Sequence, residues 1–540
     1  MTKTTTTEIA GALQQVVRGS VRADERTLTR YATDQSIYRV RPQVVVYPRD
    51  LEDVVATVRY AHQYGLPLTP RGAGSGTAGA ALGRGILLAF RPRPGGGLNG
   101  AMDRILDLSD VDGEPRVTVE PGLLHDDLQG HLRNSGLYLP ADPSSGAICA
   151  LGGNIATKAS GPHALKHGSI DRYLRHVQFV TADGTVVDTA DPASIPAHIR
   201  HGVTLLRDNI LSDDEAVRRL ETRADRKLAS GYNLFTFVRD QESSTPGIDT
   251  PTIGAWVAQL LVGSVGTLGV VTRATLSAEP YVESRATTSL YFRHLHEAGD
   301  AVQHIRALGV AAIEIMNHDT IAMVVQRGRR LDVPQDRAHL LLVEYEGPER
   351  YDQIECMSRL IRENGYELAA KPVTVEDREE QARLWKVRKA VLPTIRNFDA
   401  DRVALSVVND VGVPVAHLAE AIHDLEGIFR RLGLIAAMYG HAGSGNLHLR
   451  PLFDRHDPNL PALLARVADE VYETVLRYDG TITAEHGMGR LRAPYLAREW
   501  GAAMIGYMRR VKEIFDPDDL LNPDVMFSER ALTDDLGEFG

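Results

Sequence analysis

The chain of 540 residues is too long for one ordinary domain and predicts two or three, each able to bury a full core; its 43% apolar and 24% charged residues are ordinary globular proportions. A formal net charge of -11, with no Lys/Arg run or basic face, argues against a nucleic-acid binder. With Cys149 and Cys356 alone, the chain supports neither a disulfide framework nor an iron–sulfur cluster held by four of its own cysteines, so any such cluster would sit on a partner.

The start of the chain, Met1 to Thr7, is polar and lacks the apolar core of a signal peptide, and no apolar run reaches the ~20 residues of a spanning helix. The expectation is a cytoplasmic protein, with peripheral attachment at the inner membrane face left open. Residues 8 to 35 read as helix then loop, and Val44-Val45-Val46-Tyr47 as a buried strand stopped by Pro48. Asp50 caps a helix whose apolar positions Val54, Val55, Val58 and Ala61 recur at helical spacing, and Gly65 ends it. Leu66 to Pro70 is the next strand, completing a βαβ-type unit.

Arg71-Gly72-Ala73-Gly74-Ser75-Gly76-Thr77-Ala78-Gly79 follows that strand. Its glycines match the dinucleotide fingerprint formally, but Gly83, Gly85 and the strand Ile86-Leu87-Leu88 leave no room for the helix that the fingerprint requires. Ala80-Ala81 stand where a P-loop needs Lys then Ser or Thr. A nest of backbone N–H groups able to wrap a diphosphate remains, against the plainer reading of a surface loop. Residues 91 to 101 read as a loop insertion, Val117 to Glu120 as a strand, and a helix forms around Leu128 and Leu132. Pro140 to Ser145, Leu151 to Thr157 and Ser160-Gly161-Pro162 make a second small-residue region, so that one extended ligand is held from two sides. Asp191 to Pro251 reads as a polar, charge-rich insertion. Ser289 to Phe292, a helix over 297 to 308, and Leu340 to Tyr345 repeat a β-α-β rhythm.

In Tyr439-Gly440-His441-Ala442-Gly443-Ser444-Gly445-Asn446-Leu447-His448, two imidazoles flank a glycine turn, predicting a hairpin with a histidine at each shoulder. Ala484-Glu485-His486-Gly487 follows an amphipathic helix and a short Thr481-Ile482-Thr483 strand. Alone, each cluster reads more readily as a turn with strand-end histidines; together, His441 and His448 with Glu485 shift the reading toward an open metal site of two imidazoles and a carboxylate.

Several stretches together resemble the FAD-linked oxidases of the vanillyl-alcohol oxidase and p-cresol methylhydroxylase superfamily, in the branch of D-lactate, glycolate and D-2-hydroxyglutarate dehydrogenases. They are Pro70 to Gly74, Gly152-Gly153-Asn154-Ile155-Ala156, Leu260 to Val270, the two histidine clusters, and Asp516 to Pro523, within a likeness running from about residue 30 to 527. Lys227 to Leu234 looks like the segment of larger members that carry a fused iron–sulfur domain. The resemblance implies an α+β fold: a two-subdomain FAD-binding domain of the vanillyl-alcohol oxidase type over 1–278, a cap domain with an antiparallel sheet covered by helices over 279–485, and a C-terminal segment, 486–540, returning to the FAD domain. FAD, bound noncovalently because Ser75 stands where some members carry a flavin-linked histidine, would be held by Arg71, Gly72, Ala73, Gly74, Ser75, Gly76 and Gly79. Pro143, Ser144, Gly152, Gly153, Asn154, Ala156, Ser160 and Gly161 would form the second wall, with Gly269, Val270 and Asn522 completing it.

The same resemblance assigns His486 as the base that takes the hydroxyl proton of a small 2-hydroxy acid, and His441, His448 and Glu485 as ligands of a divalent metal, Zn or Mn. Arg388 would pair the substrate carboxylate, and Arg450, two residues past His448 on the same strand face, is a second anchor; with both pointing inward, a dicarboxylate fits better than lactate. Electrons would pass to a separate iron–sulfur or other acceptor protein, and an oligomer is compatible. The chain departs from the family at Val265, Ser444 and Asn409, the last putting the metal's surroundings in question. Two other readings stand beside this one: a flavin-binding subunit active only with an iron–sulfur partner, and a flavoenzyme like alkylglycerone-phosphate synthase, whose triple-histidine segment this chain lacks.

Overall fold

The computed structural model describes residues 5–90, 102–224, 226–239, 252–327, 334, 337–396 and 398–539. The predicted loop at 91–101 and the end of the predicted insertion, 240–251, lie outside the described residues.

Three sheets carry the fold. In the first, Val44–Tyr47 and Leu68–Arg71 flank Ile86–Ala89 in parallel, with Ser20–Arg22 antiparallel at the Val44 edge. The valine run is apolar throughout because both of its faces are covered. The helix Leu51–Tyr64 buries Val54, Val58 and Ala61 as its spacing predicts; Asp50 caps it by accepting from the Asp53 N–H, and Gly65 closes it at φ 60°, ψ 35°. Residues 8 to 35 hold a further short strand and a helix, Glu25–Tyr31, that apolar spacing did not reveal.

The second sheet is antiparallel, ordered Ile105–Val111, Glu114–Val119, Val270–Ser277, Leu174–Val180, Val186–Asp188. Two expectations change here. Leu151–Thr157 is a helix, its glycines tolerated because Gly152 packs on Pro121, where a Cβ would sit 2.6 Å from the proline Cβ; tertiary packing overrides propensity. The charged stretch after Asp191 forms the helices Ala197–Leu211, Asp214–Glu221 and Leu234–Val238, which bury Ile199, Val203, Ile210 and Phe237 in the core of this sheet. Arg207, Arg223 and Lys227 of this stretch are buried as well.

The third sheet is ordered Val373–Val375, Arg285–Phe292, His339–Glu346, Ala312–Met316, Ala436–Gly440, Asn446–Asp454, Arg402–Ala404, with neighbours antiparallel. The helices Leu295–Arg306 and Leu418–Arg431 pack together with Leu460–Arg477 in its larger core. His318–Gln326 and Arg378–Arg396 cover a separate core containing Tyr291, Leu340, Leu342 and Tyr439. The histidine hairpin forms with Tyr439 opposite His448 and Ala437 opposite Arg450. Its turn needs Gly445, at φ 67°, since a Cβ there would lie 1.9 Å from the Val413 oxygen. Thr481 to Thr483 is not a strand; Thr481 makes a single bridge to Gly412.

No helix among the described residues is long and apolar enough to cross a membrane. The last long helix, Leu496–Phe515, delivers Leu521 beside Leu68, covering the edge of the first sheet. There Asn522, 1% exposed, donates to the Ala80 and Val265 carbonyls at 2.8 and 2.7 Å and accepts from Thr69 Oγ1 at 3.1 Å. Asn522→Ala strands two buried carbonyls and is expected to cost roughly 2–4 kcal/mol. Thermal unfolding of the purified variant checks this; an unchanged midpoint would show that water replaces the carboxamide.

Candidate functional site

A cavity of about 370 Å³ lies between the glycine-rich loops and the third sheet. Gly72 to Thr77, Pro143, Ser144 and the helix Leu151–Thr157 line one side; Arg388, Lys389, Arg396, Tyr439, His448 and Arg450 line another, with Glu485 and His486 between them. Side chains built at Gly76 and Gly153 would meet nothing within 4 Å, so these glycines hold open space for a ligand. The N–H groups of Gly74, Ser75 and Gly76 have no acceptor among the described residues, and Asn154 Nδ2 is buried without a partner. Amides and a carboxamide left unmet around a glycine-lined trough fit a flavin dinucleotide.

Glu485 is the electrostatic centre of the far end. Lys227 Nζ donates to its Oε2 at 2.7 Å and Ser160 Oγ at 3.1 Å, so one oxygen is satisfied. The other, Oε1, faces Nε2 of His441, His448 and His486 at 3.1, 3.3 and 3.6 Å. His448 must donate Nδ1–H to the Asn409 carbonyl at 2.8 Å, and burial keeps the ring below its ordinary pKa, so its Nε2 lone pair points at a carboxylate oxygen. Two acceptors facing each other at that distance call for a cation between them. Among the described residues, ligand atoms of His448, Glu485, His486 and Asp410 lie close enough to share one ion, whereas His441 lies outside that group and meets Glu485 Oε1 through its Nε2 at 3.1 Å.

The surrounding charges tune these groups. Burial opposes ionisation of Glu485, but Lys227 and His441 outweigh it and hold the carboxyl well below its usual range. Burial likewise lowers His441, yet Glu314, 2.5 Å from its Nδ1, carries its pKa above normal. Burial pushes His486 down to about 4 despite Asp410 and Glu485 nearby, leaving a neutral ring at pH 7, stacked on His448 at 5.2 Å. Asp410 lies within the same cluster, but its Oδ2 already accepts from the Glu485 and His486 N–H groups at 3.1 and 2.8 Å and from Thr483 Oγ1 at 2.6 Å. It shapes the loop instead of offering a ligand.

Arg388 Nε donates to Glu314 Oε2 at 2.6 Å, and its Nη2 is buried without a partner. Arg450, 2% exposed, bonds Ser406 through Nη1 and leaves Nε unmet. Both line the cavity, as do Ala73, Ala156 and Gly269. Five of the residues assigned from sequence lie off it. Gly79 packs on Tyr38, Gly161 on Asp142, and Val270 points into the core while its neighbour Val271 faces the cavity. Asn522 braces the walls from behind, and His441 sits behind Glu485. Arg71 is on the cavity, but its guanidinium is spent on the Thr33 and Ala81 carbonyls, so only its backbone faces a ligand. Sequence reasoning gave no role to Glu314, Asp410, Lys227 or Arg396. Lys227 and Asp410 border assigned motifs, but Glu314 carries no local signal.

Family models match the chain as an FAD binding domain over residues 42–190 and as the C-terminal domain of FAD linked oxidases over 282–526. The chain is 29% identical over 499 residues to the probable mitochondrial D-lactate dehydrogenase of Danio rerio, covering 92% of this chain and 86% of that protein. It is 26% identical to the glycolate oxidase subunit GlcD of Bacillus subtilis, with 92% and 91% covered, and 28% identical to the D-2-hydroxyglutarate dehydrogenase of Escherichia coli, of which 49% is covered along with 93% of this chain. Among solved structures, 4-ethylphenol oxidase from Gulosibacter chungangensis shares the fold at a TM-score of 0.66 and 17% identity, covering 97% of this chain and 98% of that one. An alkyldihydroxyacetonephosphate synthase does so at 0.62 and 17%, with 96% and 84% covered.

Lys227 is 7% exposed and supplies the nearest full positive charge to Glu485. Lys227→Met breaks a buried ion pair on one side and is expected to cost roughly 3–5 kcal/mol. Chemical denaturation measures the loss, and wild-type stability in the variant would mean that the imidazoles alone balance Glu485.

Proposed function

Because the chain belongs to the FAD-linked oxidases, carrying both their FAD binding domain and their C-terminal domain, we propose that it oxidises a D-2-hydroxy acid to the 2-oxo acid and passes the electrons to a separate acceptor. The observation that supports this most is the convergence of three imidazole nitrogens on Glu485 Oε1 at one end of a glycine-lined cavity, with unmet arginine N–H groups in the same wall.

In the oxidation, the α-carbon gives up its hydrogen with the bonding pair, the hydroxyl gives up a proton, and a carbonyl forms. The Gly72–Gly76 loop and the Leu151–Thr157 helix would hold FAD, which would supply the two-electron acceptor that no side chain provides. His448 and Glu485, with His441 behind them, would hold a divalent ion, which would supply Lewis acidity toward the substrate oxygens. His486, neutral and lining the cavity, takes the hydroxyl proton on its ring. Asn409 Nδ2 and Thr77 Oγ1, 3.3 and 3.5 Å from His486 Nδ1, orient that ring. Arg388 pairs the carboxylate next to the reacting carbon.

Arg450 and Arg396 have neutral partners, Ser406 and Gln35, so their charge is available where Arg388 is already balanced by Glu314. Together they support a substrate with a second carboxylate, such as 2-hydroxyglutarate or malate.

The purified chain is expected to carry a flavin absorption spectrum and to reduce an artificial acceptor dye with D- but not L-2-hydroxy acids. Absence of flavin would sink the proposal, and turnover appearing only after addition of an iron–sulfur partner would favour the subunit reading. Thorough chelation is expected to abolish turnover while flavin stays bound. His486→Asn should lower kcat by about 10²–10⁴ with flavin retained. Arg450→Ala should raise KM for dicarboxylic substrates more than for lactate; equal effects on both would remove the second anchor.

A further inference from the structure

A second cavity, of about 140 Å³, shares a wall with the first: Thr157 lines one and the adjoining Lys158 lines the other. Its remaining walls come from Asp171, Arg223, Arg226, Asn233 and Trp500. None of these residues has a part in the oxidation described above.

Arg223 is 5% exposed, and its guanidinium stacks on the Trp500 indole at 4.7 Å. Nη2 donates to Asp479 Oδ1 at 3.2 Å, but Nε and Nη1 are buried with no acceptor among the described residues. A buried guanidinium with two N–H groups unmet is costly unless something in the cavity accepts from them. Lys158 pairs with Asp171, and Arg223 and Arg226 share Asp479. Asp479 is moreover 57% exposed, so solvent weakens its hold on the two arginines. The volume is well under the about 300–1,000 Å³ of pockets for drug-sized ligands, which restricts an occupant to a few heavy atoms.

We propose that this cavity is a second binding site, for a small oxyanion, formed by Arg223 on Trp500 with Lys158 and Arg226 around it. Arg226 directly precedes Lys227, and Ala229 N–H donates to the Thr483 carbonyl at 3.1 Å. The wall of the anion site is therefore the same segment that holds Glu485 from behind, and an anion there braces it.

The test is calorimetric titration of the purified full chain with inorganic phosphate at constant ionic strength, with acetate in a parallel arm. Arg450→Gln serves as background because it weakens anion binding in the first cavity. The expected result is one saturable site that persists in Arg450→Gln and weakens by about tenfold or more in Arg450→Gln/Arg223→Gln, the loss of a charge-assisted hydrogen bond. Preference for phosphate over acetate identifies a tetrahedral anion, and the reverse a carboxylate. Should Arg223→Gln fail to fold, Lys158→Gln leaves the Trp500 stack intact and is expected to weaken the same site. No saturable binding in the Arg450→Gln background, or equal affinity with and without these substitutions, overturns the proposal.

Discussion

A carboxylate that cannot leave its charge to water organises this molecule. Glu485 is 9% exposed, and each of its oxygens is surrounded by nitrogen: Lys227 on one, three imidazoles on the other. Burying such a charge is tolerable only with close compensation. The compensation has to come from elements far apart in sequence, and bringing them together fixes how the three sheets meet. Lys227 comes from the loop between two helices that cover the second sheet, His441 and His448 from the third sheet, and Glu485 itself from the loop whose backbone N–H groups donate to the Asp410 carboxylate. Glu314 extends the arrangement by spending one oxygen on His441 and the other on Arg388, so that this imidazole and this guanidinium are positioned by one side chain.

A second ionic network holds the third sheet over the loops. His163 bridges Asp142 at 2.6 Å and Glu344 at 2.8 Å, and Trp385 donates to the other oxygen of Glu344 at 2.6 Å. Glu346 receives Lys166 and Arg285 at 3.0 and 2.7 Å. Asp142 directly precedes Pro143 on the cavity wall, and Trp385 lies one helical turn before Arg388 and Lys389. The network thus sets the spacing between the two walls that a flavin and its substrate would share. Buried ion pairs of this kind add little net stability and instead specify one arrangement. That role suits a cavity whose chemistry depends on distance.

Local structure was legible wherever one short stretch carried its own reason. Asp50 and Gly65 bound their helix because a cap acceptor and a left-handed residue act within a turn, and the hairpin register follows from a glycine turn between β-prone flanks. Legibility failed where packing outweighed local preference. Leu151–Thr157 reads as a loop from its glycines yet is helical against Pro121, and the segment after Asp191 reads as a polar insertion because its buried positions are spread over three short helices. Asn409 drew attention as a missing acid, while the carboxylate is its neighbour Asp410, reached by a turn that no periodicity encodes.

What the sequence determined by itself is therefore a set of parts: helices and strands whose apolar spacing repeats, glycine loops without the residues of a nucleotide-triphosphate site, and two histidine motifs that together read as a candidate metal site. Tertiary structure alone decided which atoms of those parts meet. Glu314 lies 127 residues from His441, and Lys227 lies 258 from Glu485. No pattern within a window of sequence links them. The link is the energetic requirement that a buried charge find its partner, which only the folded chain can satisfy.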